Sequence, residues 1–348
     1  MESLPGMDPR LRRAATAQGE VFTRVQCYAV GLDDHDLERL LGERGPWVVV
    51  RRGAYAERET WARASRAERL AMGDRAAHLL METEHLMSHD SAARALGIPM
   101  LWPQRELVHV TRSGVGGSRT KSGVKHHLTR IELPDTTAVG CLEVTGPGRT
   151  ALDLAREHGL EPGVVAMDHV LGRGVRRSTV ERDLQEMWSW PHVRTARAAL
   201  DLADGRAESP AETLGRLLLL EMGLDVDVQW PVSCGGTVFW TDLRVGCHII
   251  EVEGVGKLLP VSQGGLATRP TRELLRAREN RQRLIRAEGL GLSFVGWDDC
   301  FGARRAHTQQ WLDVEIALTT ERYGARLPAR LAERAALIRR RTPRQRPS

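Results

Sequence analysis

One short stretch, Phe239 to Lys257, carries Asp242, Glu251, Glu253 and Lys257. It predicts two strands joined by a tight turn at Arg244-Val245-Gly246. Side chains alternate along a strand, so Trp240 and Asp242 share one face of the first strand, and Ile249, Glu251 and Glu253 share one face of the second. A hairpin brings Asp242 close to Glu251. Carboxylates converging from a rigid sheet are the hard oxygen ligands that a divalent cation such as Mg2+ or Mn2+ takes. The competing explanation is a charged sheet edge. Against it, Ile249, Ile250 and Val252 predict a buried strand, where carboxylates are costly unless paired or bound to metal.

Two further segments bear on that chemistry. Ser209-Pro210-Ala211-Glu212 predicts a helix start, with Ser as N-cap, Pro in the first turn and Glu three residues on. A capping role accounts for Glu212; a place beside the metal is the alternative. Arg269 to Glu288 predicts a basic helix, with Arg278, Asn280 and Arg281 the residues expected to face a polyanion and Leu274, Leu275, Leu284 and Ile285 expected to face the sheet. Leu292 to Trp297 predicts a last strand. It completes a small mixed sheet with helices on both faces.

Taken in this order, Glu208 to Cys300 resembles the PD-(D/E)XK nuclease superfamily, within it a domain similar to very-short-patch-repair endonucleases. The resemblance implies a restriction-endonuclease-like fold and metal-dependent hydrolysis of DNA. It implies Asp242 and Glu251 as metal ligands for Mg2+ or Mn2+, with Glu253, Lys257 and Glu212 completing the catalytic group. Arg278 and Arg281 would lie along the nucleic acid. The superfamily's lysine stands two residues after the second acid; here that position is Glu253, and Lys257 lies four residues further on.

The elements that must position these residues belong to a chain of 348 residues, enough for two or three domains. Composition is that of a globular α/β multidomain protein, and no stretch is long and apolar enough to span a membrane. The start, MESLPGMDPRLRR, lacks an apolar leader. Five scattered cysteines without a C-x-x-C pair predict reduced thiols, hence a cytoplasmic protein with no membrane partner. Residues 322–348 hold nine arginines and one glutamate, which leaves the rest of the chain at −3 of the net +5. That tail, 306–348, is expected to be helical and Arg-rich, and either solvated or in contact with phosphates.

Residues 1–60 predict a small winged helix-turn-helix: a helix over Gly19 to Val30, a second over Asp34 to Leu41 capped by Asp33, then strands around Arg51-Arg52-Gly53. Gly31 through Tyr55 resembles the N-terminal domain of AbiEi antitoxins of type IV toxin–antitoxin systems. This implies operator DNA and a partner toxin or regulator protein as partners, and a non-catalytic repressor as the alternative to a nuclease. The second helix is acidic, which repels phosphate. DNA contact therefore falls to Arg39, Arg44, Arg51 and Arg52.

Residues 61–207 resemble the AbiEi middle region around Arg149 to Arg156 and name no chemistry of their own. A long helix is predicted from Arg66 to Met87, followed by one capped at Ser88. Beside it, His89 and Asp90 read as a helix start rather than an acid–base pair. Arg149 and Asp153, one turn apart, predict a surface ion pair. Gly146-Pro147-Gly148 lacks the Lys-Ser/Thr of a phosphate loop. The nuclease-like domain follows at 208–305.

Overall fold

The computed structural model describes residues 7–101, 106–114, 117–128, 136–253 and 271–341. They divide into two units, one of 1–170 with 174–202 and one of 171–173 with 203–348. Both mix helices and sheets, so the chain is a multidomain α/β protein. None of its described helices is long and apolar enough to cross a membrane.

The first unit begins α1 (Pro9–Ala17), β1 (Phe22–Thr23), α2 (Arg24–Ala29), α3 (Asp34–Leu41), β2 (Trp47–Arg51), β3 (Ala54–Glu57) and α4 (Arg58–Arg63). The three strands pair in the order β1-β3-β2. Asp33 and Asp36 form a reciprocal capping box that starts α3, which explains the acids at that helix end. The expected single helix from Gly19 to Val30 is not formed. Gly19 and Glu20 take positive φ, and Phe22-Thr23 pairs with Tyr55-Ala54 instead. Burying Phe22 against Trp47 and Tyr55 outweighs the local helical pattern. The helix α1 was not anticipated.

The same unit continues with α5 (Arg66–Leu80), β4 (Leu86–Met87), α6 (His89–Leu96), β5 (Val108–Arg112), β6 (Arg119–Lys121), β7 (Val124–Leu128), β8 (Thr136–Val139) and β9 (Leu142–Thr145). Four helices close it: α7 (Pro147–His158), α8 (Leu160–Gly172), α9 (Arg177–Glu186) and α10 (Val193–Leu202). The sheet order is β6-β7-β5-β4-β9-β8. The long helix expected through Met87 stops at Leu80, because Leu86-Met87 is taken into the middle of this sheet between β5 and β9. Arg149 and Asp153 are a correction of another kind. They are 4% and 0% exposed, so the pair is buried, not superficial.

The second unit runs α11 (Pro210–Glu221), β10 (Asp227–Cys234), β11 (Thr237–Val245), β12 (His248–Glu253), α12 (Thr271–Ala287), β13 (Gly291–Gly296), α13 (Gly302–Tyr323) and α14 (Ala329–Arg341). The sheet order is β10-β11-β12-β13, antiparallel except for the parallel β12–β13 pair. The turn between β11 and β12 falls at Gly246-Cys247, later than expected, with Val245 opposite His248. The strand β10 was not anticipated; it joins β11 through Gly235-Gly236, both at positive φ, as a two-residue hairpin requires. Leu243 and Val252 face α11, where Gly215 lets helix and sheet close: a Cβ there would lie 2.9 Å from Val252. On the other face Ile249 packs with Ile285 of α12 and with Leu331 and Ala335 of α14. The Arg-rich end of the chain, as far as Arg341, is thus helical as expected, with Leu331 and Ala335 laid on the sheet and Arg334, Arg340 and Arg341 exposed.

Candidate functional site

The helix start at α11 is built as its residues dictate. Ser209 Oγ accepts from the Glu212 amide at 3.2 Å and donates to Glu212 Oε1 at 3.0 Å. Glu212 Oε2 accepts from the Glu208 amide at 2.9 Å and from Gln229 Nε2 at 2.8 Å. Gln229 sits in the left-handed region, φ 51°, in the middle of β10. Glu212 is 3% exposed. Burial raises its pKa, and the negative charge of Asp242 raises it further. Glu212 is therefore both cap and neighbour of the strand acid.

Asp242 lies where β11 and β12 part. Their ladder ends at Leu243–Ile250, and Asp242 Oδ2 accepts the Val252 amide at 2.8 Å. The side chain takes the hydrogen bond that a continuing ladder would have given to a carbonyl. Continued one step beyond the last pair, that register sets Glu251 opposite Asp242, and alternation puts Glu253 on the Glu251 face. Glu251 Oε1 accepts from Arg281 Nη2 at 2.6 Å, and the same nitrogen donates to the Trp240 carbonyl at 2.7 Å. Arg281 Nε is buried without a hydrogen-bond partner among the described residues. The structure thus brings Glu212, Asp242, Glu251 and Arg281 to one end of the sheet. Lys257 and the side chain of Arg278 lie outside the described residues.

At the N-terminal strands, Arg51 Nη2 donates to the Ser122 carbonyl, so this arginine is engaged within the unit. Arg52 is exposed.

A second cluster was missed altogether. In the first unit His89, His109 and His127 offer ligand atoms that all lie within 4.8 Å of one another, the one such trio among the described His, Cys, Asp and Glu. The carboxylates of the second unit are not gathered that tightly. Around the histidines lie Asp90, bonded to His158 at 2.6 Å, and Asp153, bonded to Arg149 at 3.0 Å and Arg156 at 2.8 Å. Both arginines lie over the Trp190 ring. No motif announces this group. The one available signal was alternation: Val108 and Val110 against His109 and Thr111 on β5, and Val124 against Lys125 and His127 on β7.

No family model matches the chain. Two uncharacterized proteins of Mycobacterium tuberculosis, MT2308 of strain CDC 1551 / Oshkosh and Rv2248 of strain H37Rv, are each 31% identical over 118 residues. The match takes in 31% of this chain and 43% of each relative, so the chain spans less than half the length of the relatives it resembles.

Proposed function

We propose that the second unit is a metal-dependent phosphodiesterase acting on DNA. The observation that carries this reading is the crowding of Glu212 and Asp242, one carboxylate from a helix start and one from β11 where its pairing with β12 ends, with Glu251 on β12 just past that point. Like charges held together in a partly buried site favour a cation between them. Mg2+ is content with one or two carboxylates plus waters and phosphate oxygens, which suits a looser group than a closed cage. The order α11-β10-β11-β12-α12-β13 supports a restriction-endonuclease-like fold.

In this reading Asp242 and Glu251 would hold the ion, which would supply charge for a phosphate oxygen and a more acidic water. Glu212 fixes the acid group from behind, locked by Ser209, Gln229 and the Glu208 amide. Arg281 reaches the site from α12 and offers donors to a phosphate. Glu253 stands where the superfamily has its lysine, so a water is oriented by a carboxylate there or by Lys257. The test is cleavage of single- and double-stranded DNA with Mg2+ or Mn2+. Cutting that requires the metal and is lost in Asp242→Ala and Glu251→Ala supports the reading. Wild type that cuts none of these substrates with either metal overturns it.

The order α1-β1-α2-α3-β2-β3 favours a second reading of the first unit, a winged helix-turn-helix in an AbiEi-like DNA-binding regulator. It requires DNA binding that is indifferent to metal and weakened by Arg52→Ala. Unchanged affinity in that variant would remove it.

A further inference from the structure

His89 is the first residue of α6, His109 lies on β5 and His127 on β7. The two strands run parallel with His109 beside Lys125 and Thr111 beside His127, so both imidazoles project from one face. His109 Nδ1 is 3.1 Å from His127 Nε2. The His89 ring stacks on His127 with centroids 3.7 Å apart and 13° between planes. His89 holds φ 47°, a strained backbone for a residue with a side chain, and it is 3% exposed. Strain of this kind persists where the surroundings over-determine it, and it concentrates at functional sites.

We propose that His89, His109 and His127 bind a divalent transition-metal ion of the zinc class. Imidazole nitrogens are the donors such an ion selects. Two nitrogens on one zinc, at about 2.0–2.1 Å in tetrahedral geometry, are roughly 3.3 Å apart, close to the observed His109–His127 spacing. Polar groups of the kind that orient ligating histidines flank two of the rings. His89 Nδ1 lies 3.0 Å from Ser88 Oγ, and its Nε2 lies 3.7 Å from Asp153 Oδ1, beyond hydrogen-bond reach, so Nε2 is the nitrogen offered to the metal. His109 Nε2 lies 3.9 Å from Asp90 Oδ2, which leaves Nδ1 beside His127.

A second observation points the same way. Asp90 is fully buried, and its Oδ2 has no hydrogen-bond partner among the described residues. An orphaned carboxylate oxygen inside a protein is costly. A cation on the adjacent imidazole compensates it by polarising the ring N–H. Arg149 and Arg156 oppose a cation here, but Asp153 lies between them and the rings and accepts from both. With three protein ligands, the remaining position falls to solvent.

The group is chemically unlike the carboxylates of the second unit, so its fate is independent of theirs. The experiment loads the chelator-stripped full chain with Zn2+, passes it through gel filtration and measures retained metal and melting temperature. Mg2+ serves as the control. The expected result is about one zinc retained per chain, a melting temperature raised by Zn2+ and not by Mg2+, and the same retention in Asp242→Ala. His127→Gln, at the least buried of the three, drops affinity by about 100-fold or more, and Asp90→Asn by about 10–100-fold. Wild type that retains no zinc and melts unchanged overturns the proposal, as does full retention by a folded His127→Gln. Where that variant fails to fold, the wild-type arm decides alone.

Discussion

The two units both gather ionisable side chains at a sheet, yet they favour opposite protonation states. In the second unit, acids from α11, β11 and β12 crowd one sheet end, and the charge of Asp242 bears on Glu212. In the first, burial strips the charge from His89, His109 and His127. Crowded carboxylates suit a hard cation that keeps its waters; neutral imidazoles suit a borderline one that sheds them. The difference follows from where the groups sit. The acids stand at a ladder end with an arginine beside them, whereas two histidines lie on a sheet face and the third starts α6, against Asp153 of α7.

The strongest test of that contrast is reciprocal. Asp242→Ala should lower Mg2+-dependent DNA cleavage by about 100-fold or more and leave zinc retention untouched. His127→Gln should do the reverse. If either variant abolishes both properties, the two sites act as one system and the contrast fails.

Next in size is the buried clamp beside the histidines. Asp153 is fully buried and joins Arg149 and Arg156. Its replacement by Ala leaves the buried Arg149 and the partly buried Arg156 without their counter-charge. A loss of about 3–5 kcal/mol is expected by urea unfolding. A loss under about 1 kcal/mol would mean the arginines find water or Trp190 sufficient, and that the cluster is less enclosed than its geometry indicates.

The carboxylate end of the molecule was legible because acids among Ile249, Ile250 and Val252 contradict their surroundings within a few residues. The hairpin, α11 and its Ser209 cap, the basic α12 and β13 follow from equally local signals. The histidine cluster was not legible. His89, His109 and His127 stand about 20 residues apart; His109 and His127 meet because β5 pairs with β7 in parallel, and His89 joins them from the start of α6. Parallel partners leave no turn signature. Nor does any local pattern state that Arg149 and Asp153 face inward; α7 buries nearly its whole length. Phe22-Thr23 and Leu86-Met87 were read as helical for the same reason, since two-residue strands owe their conformation to distant partners. Asp242 itself was placed rightly on its strand, but its bond to the Val252 amide depends on the ladder ending at Leu243, which no alternation of side chains foretells.

His248 sharpens the contrast from inside the second unit. It is buried and its pKa is lowered to about 4 by burial, yet among the described residues it belongs to no cluster that could share a metal. Its nitrogens lie 2.7 Å from Thr319 Oγ1 and 2.9 Å from Ser293 Oγ. The folded pKa lies below the unfolded value of 6.5, so this stabilisation is present above pH 6.5 and is lost as pH falls through 4. The loss approaches about 3 kcal/mol at the low end. Thermal unfolding at pH 7 and pH 4.5 should show a smaller pH effect in His248→Gln than in wild type. Zinc should not alter that difference. An identical pH effect in both would mean that the ring does not remain neutral in the fold.

The smallest effect is expected at the second unit's own arginine clamp. Asp227 accepts from Arg206 at 3.1 Å, Arg244 at 3.2 Å and Arg339 at 3.0 Å. It has more partners than Asp153, but its side chain is 21% exposed. Water reaches this clamp and takes over the guanidinium donors when the carboxylate goes. Arg339 also keeps the Val228 and Gln229 carbonyls, which hold α14 to β10. Asp227→Ala should therefore lower stability by about 1 kcal/mol, well under the loss at Asp153 despite the extra ion pair. Equal losses in urea unfolding would show that the number of partners, not burial, sets the strength of these clamps.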